Sequence, residues 1–492
     1  MPLFNSSLQR SMFNVRCSMF ILTAALASAA EPPDFYVREE IPLPPGEVME
    51  IGSIALMPDQ QVAVATRRGD LWICKGAYGD DLSKVTWKKF TENLHEPLGM
   101  FWKDGSLWLT QRPEVSRITD KDHDGVADKF QTICQDWGIN GDYHEYAFGS
   151  ESDKEGNIWV VLCLTGSWNA DSNWRGWAVR VTPDGKMIPT CSGIRSPGGI
   201  GMNAEGDMFY TDNQGTWNGS SSVKWLKPGS FQGNPTGNKY HKLANLPAPP
   251  EVASKSRILT ERTRFPDFIP PAVILPHGLV GQSPTAILCD QSGGKFGPWD
   301  KQLYIGEQTH SQVQRVCLEK VKGLYQGAVF HFLEGFEAGL IPMRLDQEKG
   351  VLFVGGSNRG WASRGPKPFP FERVKWTGKT PFEMQTLTAA HDGFDVRFTE
   401  PVDATTAGNP ASYSMDTFTY IYQSDYGSPQ VDATTPTITA ATVSADRKSV
   451  HLKVDGLVRG HIHHLEAKGV KSATAQPLWH PETWYTLNEI PD

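Results

Sequence analysis

The chain has 492 residues, 39% of them apolar and 11% aromatic, enough hydrophobic material for two or three packed domains. Its 47 glycines and 35 prolines fit a loop-rich β protein and exclude a disordered one. A formal net charge of −8, with no long basic run, gives no electrostatic reason to hold nucleic acid or an anionic membrane surface.

Residues 1–30 read as a signal peptide. Arg10 and Arg16 form a positive start, Met19 to Leu26 is a short apolar run, and Ala27-Ser28-Ala29 supplies small residues for cleavage after Ala29 or Ala30. The run is too short to span a bilayer comfortably, so a secreted or periplasmic protein without a stable membrane span is expected. An uncleaved anchor is the alternative. Cys17 lacks the small-residue context of a lipoprotein cysteine. The remaining cysteines (Cys74, Cys134, Cys163, Cys191, Cys289 and Cys317) are widely spaced, with no CxxC and no haem-attachment motif. An oxidising compartment permits disulfides, but spacing alone gives no pairing, and small buried thiols are the other reading.

Residues 31–48 are Pro-rich and acidic, a lead-in to the first repeat. From residue 49 to 376 a three-residue apolar core recurs six times: Val62-Ala63-Val64, Leu107-Trp108-Leu109, Ile158-Trp159-Val160, Met208-Phe209-Tyr210, Leu303-Tyr304-Ile305 and Leu352-Phe353-Val354. Several follow a turn pair such as Asp104-Gly105 or Glu155-Gly156. The steps are roughly 45–50 residues, with one of about twice that length, the period of propeller blades. The long step holds Thr216 to Pro271, a polar Gly/Ser/Asn/Pro stretch without alternating apolar runs. It is expected to be an insertion rather than a seventh blade. Helical periodicity is scarce throughout. Past Trp376, Phe394-Asp395-Val396-Arg397-Phe398 and Val450-His451-Leu452-Lys453-Val454 alternate with period two, so 377–492 reads as a small β-sandwich. The fold class is therefore all-β: a six-bladed β-propeller followed by a C-terminal β-sandwich. A closed ring puts the loops of every blade around one pocket, where function is expected.

Asp120-Lys121-Asp122-His123-Asp124-Gly125, with Asp128 beyond, has carboxylates and a glycine at the spacing of a calcium loop. Gln131 occupies position 12, so this is not a complete EF-hand, and a solvated acidic turn is the competing reading. His144, in Asp142-Tyr143-His144-Glu145, has a carboxylate nearby and suits a base, or is a structural histidine. Arg195 precedes Ser196-Pro197-Gly198-Gly199 and suits capture of a carboxylate, or is an ordinary surface arginine. Asn213 and Gln214, His277, and Arg359 within Asn358-Arg359-Gly360-Trp361 lie at equivalent loop positions of different repeats and are expected to share the pocket. His461, His463 and His464 are expected to face solvent.

With these residues in hand, the propeller resembles soluble quinoprotein glucose dehydrogenases and the related glucose/sorbosone and aldose dehydrogenases. Nearly the whole mature chain is similar to secreted propeller proteins of planctomycetes and verrucomicrobia labelled sugar dehydrogenase-like. The stretches that carry this are Tyr143 to Val160, Gly193 to Gly215, Phe296 to Val316, Asn358 to Gly365 and Trp484-Tyr485-Thr486-Leu487-Asn488. The resemblance implies that His144 is the general base taking a sugar hydroxyl proton as hydride passes to pyrroloquinoline quinone (PQQ). It also implies that Arg195 contacts the quinone carboxylates and that calcium polarises the ortho-quinone. Arg359 and Arg364 are the loose candidates for the other cationic partners. Two departures stand out: Ser196 replaces the family's Asn, and Glu145-Tyr146-Ala147 replaces its Gly-Gly-Arg.

The first expectation is thus a secreted sugar oxidoreductase with PQQ and calcium, an aldose or oligosaccharide substrate and an electron-acceptor protein as partner. A second is a non-catalytic propeller that binds glycans or proteins, with Trp168, Trp174, Trp177 or Trp217 stacking on sugar rings. A third is a calcium-assisted polysaccharide lyase or hydrolase using His144 and Glu145.

Overall fold

In the computed structural model the described residues are 35–358 and 362–492. The six apolar cores all fall on the second strand of an antiparallel four-strand meander. The strands of sheet one are Ile51–Met57, Gln61–Thr66, Leu71–Lys75 and Thr86–Thr91. Sheet two holds Gly99–Lys103, Ser106–Thr110, Val115–Thr119 and Lys129–Cys134. Sheet three holds Ala147–Ser152, Ile158–Leu162, Trp177–Val181 and Met187–Ser192. Sheet four holds Pro197–Met202, Met208–Asp212, Ser221–Trp225 and Val273–Leu275.

Sheet five begins with Pro284–Cys289, Leu303–Glu307, Gln312–Val321 and Leu324–Leu333. Sheet six holds Leu340–Asp346, Val351–Gly356 and Phe371–Trp376, with Tyr36–Glu40 as its outer strand.

Side chains alternate across a strand, so each second strand feeds two different cores. Val62 and Val64 pack with Val351 and Phe353 of sheet six, whereas Ala63 and Ala65 pack with Leu107 and Leu109 of sheet two. Trp159 and Val161 face sheet four, and Ile158, Val160 and Leu162 face sheet two. Burial on both faces is why these strands read as unbroken apolar triplets. The first strand of each sheet touches the first strands of its neighbours, and sheet six touches sheet one, so the ring closes as in a β-propeller. Glycine permits the close crossings: a Cβ on Gly198 would sit 2.0 Å from the carbonyl oxygen of Pro284, and one on Gly99 2.5 Å from that of Gly149. Arg344 of sheet six reaches across the channel. It donates to the carbonyls of Ile54 (3.2 Å) and Met100 (2.7 Å) and pairs with Glu151, so one side chain ties sheet six to sheets one, two and three.

Two segments differ from the sequence reading. Tyr36–Glu40, expected within a lead-in, pairs in register with Phe371–Trp376 and closes the last sheet with strand from the other end of the chain. Arg38, Glu39 and Glu40 secure it through Glu372, Arg373 and Lys367. Inside the expected insertion, Ser221–Trp225 is the fully buried third strand of sheet four. Its polar look is offset by an ion pair at 3.0 Å between buried Lys224 and Asp212. The excursion that follows carries a short helix, Ile258–Arg264, and packs Phe231 and Phe268 against Tyr422.

Residues past Trp376 form two sheets. One orders Met384–Ala390, Gly393–Phe398, Ser449–Asp455 and Thr437–Val443. The other extends sheet five to eight strands: Leu324–Leu333 pairs with Glu482–Leu487, followed by His461–Glu466, Ser414–Tyr420 and Gln430–Thr434. A second core lies between them, including Phe394, Val396, Leu452, Leu465 and Tyr485. The expectation that His461 and His463 face solvent is corrected, since both are buried and His463 has no exposure. Burial holds His463 far below the ordinary histidine range, at about 3. His464 is half-buried, flat against Trp484 and paired with Asp416. All six described cysteines are free thiols, five of them buried, and burial raises their pKa. No helix among the described residues is long and apolar enough to cross a membrane.

Candidate functional site at the propeller rim

In an antiparallel meander the second-to-third turns and the connections into the next first strand leave from the same end of the sheet. Those segments of different sheets surround one cavity of about 500 Å³, within the range of small-ligand sites. The structure brings His144, Arg195, Asn213, Gln214 and His277 to its wall. Arg364 is not part of the lining; its charge acts on buried Glu307 and on His310 instead. Arg359 lies outside the described residues.

The sequence reading missed Arg67, Tyr146, Gln308 and Tyr426, which also line the cavity. A signal for two of them was present. Arg67, Asn213, Gln308 and Ser357 each stand four residues beyond the middle of an apolar core, where the second strand reaches the rim. Tyr426 had no such signal, because it comes from the C-terminal segment. It is carried there by a bridge to Thr216 and by the Gly427 amide donating to the Gly215 carbonyl at 3.0 Å.

No aspartate or glutamate lines the cavity among the described residues, whereas two arginines do. Arg67 pairs with buried Glu96, its Nη2 2.7 Å from Oε1, and Glu96 also takes Arg112, so the triad keeps a net positive charge. Arg195 is 3% exposed and makes no ion pair among the described residues. Its Nη1 donates to the carbonyl of Gln214 at 2.7 Å, while its Nε is buried without a hydrogen-bond partner. The guanidinium lies so close to Gly215 that a Cβ there would meet Cζ at 1.9 Å, so any side chain at 215 would displace it. Tyr426 covers its other side, with Cζ 5.1 Å from the ring centroid. A buried cation without a counter-charge is costly unless an anion joins it.

His144 sits on a loop held from both sides. Arg112 donates to the carbonyls of Asp142 and Tyr143, and Asp142 Oδ1 accepts the His144 amide at 2.8 Å. The ring stacks obliquely on Tyr143 and meets Tyr146 edge-on. Burial, helped by the charges of Arg195, Arg112 and Arg67, holds its pKa below the ordinary histidine range. The imidazole is therefore neutral at pH 7 and able to accept a proton. Burial likewise lowers His277, whose Nδ1 is buried and unpartnered. Glu145 is corrected as a catalytic partner. It is fully buried, accepts from the Asn140 amide (2.6 Å), Thr165 Oγ1 (2.7 Å) and Ser172 Oγ (3.1 Å), and does not line the cavity. Trp174 and Trp177 are core residues and Trp217 packs on Tyr422; Trp168 alone of the four tryptophans stands exposed at the cavity.

The acidic loop lies elsewhere. It joins the third and fourth strands of sheet two, hence the opposite end of the sheet, and rests on sheet one through Lys88 and the Ala127 amide. Asp120, Asp122 and Asp124 bring one carboxylate oxygen each within 4.8 Å of one another. Asp128 instead accepts the amides of Lys121 (2.6 Å) and Asp122 (3.4 Å). An ion in this loop would brace two neighbouring sheets and cannot polarise a group in the rim cavity.

Residues 72–329 match the family described as a domain of unknown function, DUF7133, and the chain belongs to that family. No curated protein matches the chain in sequence. Among solved structures it is similar to a putative oxidoreductase (glucose dehydrogenase) from Thermus thermophilus. That similarity is at 16% identity and a TM-score of 0.51, over 69% of this chain and 99% of the other. It is also similar to the PQQ-bound form of an aldose sugar dehydrogenase from Streptomyces coelicolor, at 15% identity and a TM-score of 0.49, over 70% and 100% of the two chains. At such identities the first likeness shows a shared fold.

Proposed function

We propose that the chain is a secreted or periplasmic quinoprotein-like sugar oxidoreductase, a six-bladed propeller with an appended β-sandwich whose rim cavity is the active site. The observation that carries this reading is the meeting of a neutral, half-buried histidine and an acid-free arginine in one cavity, His144 and Arg195. The cavity fits an anionic, flat cofactor at the Arg195 end. Arg195 in the cavity wall carries the charge that would hold a carboxylate, and Asn213 and Gln214 stand beside it. Pyrroloquinoline quinone, when bound, would supply an ortho-quinone that accepts hydride from the sugar carbon. His144 would take the hydroxyl proton on a ring nitrogen as the hydride leaves, and Arg112 and Asp142 would keep its loop in place. Arg195 would hold a cofactor carboxylate, with Arg67, which shares Glu96 with Arg112, a second positive charge. Calcium belongs, in this reading, to the Asp120–Asp124 loop. Electrons would pass on to an acceptor protein.

Reconstitution tests the proposal. Purified protein incubated with PQQ and calcium should bind the quinone and reduce a dye with aldoses or oligosaccharides. Absence of both binding and turnover would overturn it. A second reading, a glycan-binding propeller without chemistry, draws support from exposed Trp168 and Tyr426 at the cavity. It predicts sugar binding that survives His144→Ala, with no turnover in the parent protein.

A further inference from the structure

We infer that the rim cavity takes an oligosaccharide rather than a single sugar, and that Trp168 and Tyr426 form a subsite for pyranose rings beyond the reacting one. This rests on the proposed sugar chemistry at His144 and adds to it the substrate class. Both aromatic side chains are more than half exposed, at 53% and 58%, yet both line the cavity. Their ring centroids are 5.8 Å apart at 40°, so together they make one angled apolar shelf at the mouth. Large exposed aromatics in a functional cleft ask for an occupant, and an aromatic ring offers a flat, weakly hydrated face. The C–H face of a pyranose matches it, and Gln282 and Ser283 elsewhere in the cavity lining are polar.

The shelf is pre-organised on both sides. Trp168 tops a tight turn, with Thr165 bridged to Asn169 and Ser167 at φ 64°. The Gly166 amide of that turn donates to Asp142 Oδ1 at 3.0 Å, the same oxygen that accepts the His144 amide. One carboxylate therefore fixes the spacing between the proposed base and the shelf. Tyr426 is anchored to the rim through Thr216 and Gly215 and is supplied by the C-terminal segment. Rings held in place lose little freedom on binding, so their contact area converts into affinity.

The test is a ladder of gluco-oligosaccharides from one to six residues, in α-1,4 and β-1,4 series. Binding is read by intrinsic tryptophan fluorescence and calorimetry, and turnover by dye reduction in PQQ-loaded protein. In the parent, affinity and kcat/KM should rise about tenfold or more from the monomer to the trimer of one series, then level off. Trp168→Ala and Tyr426→Ala should each flatten that ratio toward one. Phe130→Ala, a 55% exposed aromatic on the outer strand of sheet two, should leave the ladder as it is. Length-independent binding in the parent would overturn the inference while leaving monosaccharide oxidation standing. A ladder that flattens in both variants without any turnover would support the shelf and sink the redox reading instead.

Discussion

Replacing Arg195 by Met probes the proposed anion site most directly. Methionine keeps the length of the buried stem and removes the charge. In the free protein two effects oppose one another. The variant loses the hydrogen bond from Nη1 to Gln214, yet it also removes a 3% exposed cation with no ion-pair partner among the described residues. Truncating one side of a buried, uncompensated charge is far less harmful than breaking a pair, so the urea midpoint should move little. Binding is different. Loss of even one charge-assisted bond to a ligand carboxylate costs about 1.5–3 kcal/mol. At about 1.4 kcal/mol per decade, PQQ affinity should fall roughly 10- to 150-fold. Arg195→Lys should fall between, because it keeps the charge and loses the planar fork. Quinone titration followed by fluorescence, beside urea melts of all three proteins, makes the comparison. An Arg195→Met protein that melts like the parent and binds PQQ equally well would refute the assignment of Arg195 as anion anchor.

Replacing His144 by Asn should lower turnover by about 10²–10⁴ while quinone binding persists, the signature of a lost base. Because burial and three arginines, against the opposing charge of Asp142, lower the His144 pKa, the acid limb of kcat/KM in the parent should be centred below the ordinary histidine value of 6.5. Glu372 is pushed up to about 7 by burial, against an ordinary value of 4.5, so its ionisation opposes folding as pH rises between those values. Glu372→Gln should leave stability at pH 4.5 unchanged and gain about 3 kcal/mol at pH 8, read by urea melts; a loss at pH 8 would mean its pair with Arg38 outweighs burial. His463 acts with the opposite sign: held near 3, it stays neutral while the unfolded chain takes up a proton below 6.5, so stability should drop as pH falls from 6.5 toward 3, and His463→Gln should flatten that slope. Calcium should raise the melting temperature of the parent by a few degrees, and chelator or Asp120→Asn with Asp124→Asn should abolish the rise without changing quinone affinity, since the loop lies away from the cavity.

How much of this was legible in the sequence follows from which strands are buried on both faces. The second strands advertise themselves because each residue of Ile158–Leu162, odd or even, enters a core. Outer strands such as Thr86–Thr91 have mixed burial and fade into the loops. Ser221–Trp225 hid because Lys224 is buried by pairing with Asp212, a cost met by a residue one strand away that no local pattern reveals. Tyr36–Glu40 hid because its partner strand starts at Phe371, and no short-range rule links the two ends of a chain. At the rim, His144, Arg195, Asn213, Gln214 and His277 were legible because the repeat marks which loops converge. Glu145 was not, since a carboxylate beside a histidine looks the same whether it faces a cavity or three local donors.

The C-terminal segment makes the same point about long-range placement. Its strand Glu482–Leu487 pairs with Leu324–Leu333, so the fifth sheet has no free edge there and the appended part continues the hydrogen-bond ladder. A module joined by a flexible tether would leave its loops free to wander. Here the ladder, the buried contact of Tyr422 with Phe231 and Phe268, and the Gly427 amide on Gly215 fix one loop over the rim. That loop delivers Tyr426 onto Arg195, a residue from a distant part of the chain. A cation in a cavity without acids and an aromatic lid from a distant part of the chain are thus two results of one topology. The ring gathers the polar groups, and the extended fifth sheet determines what covers them.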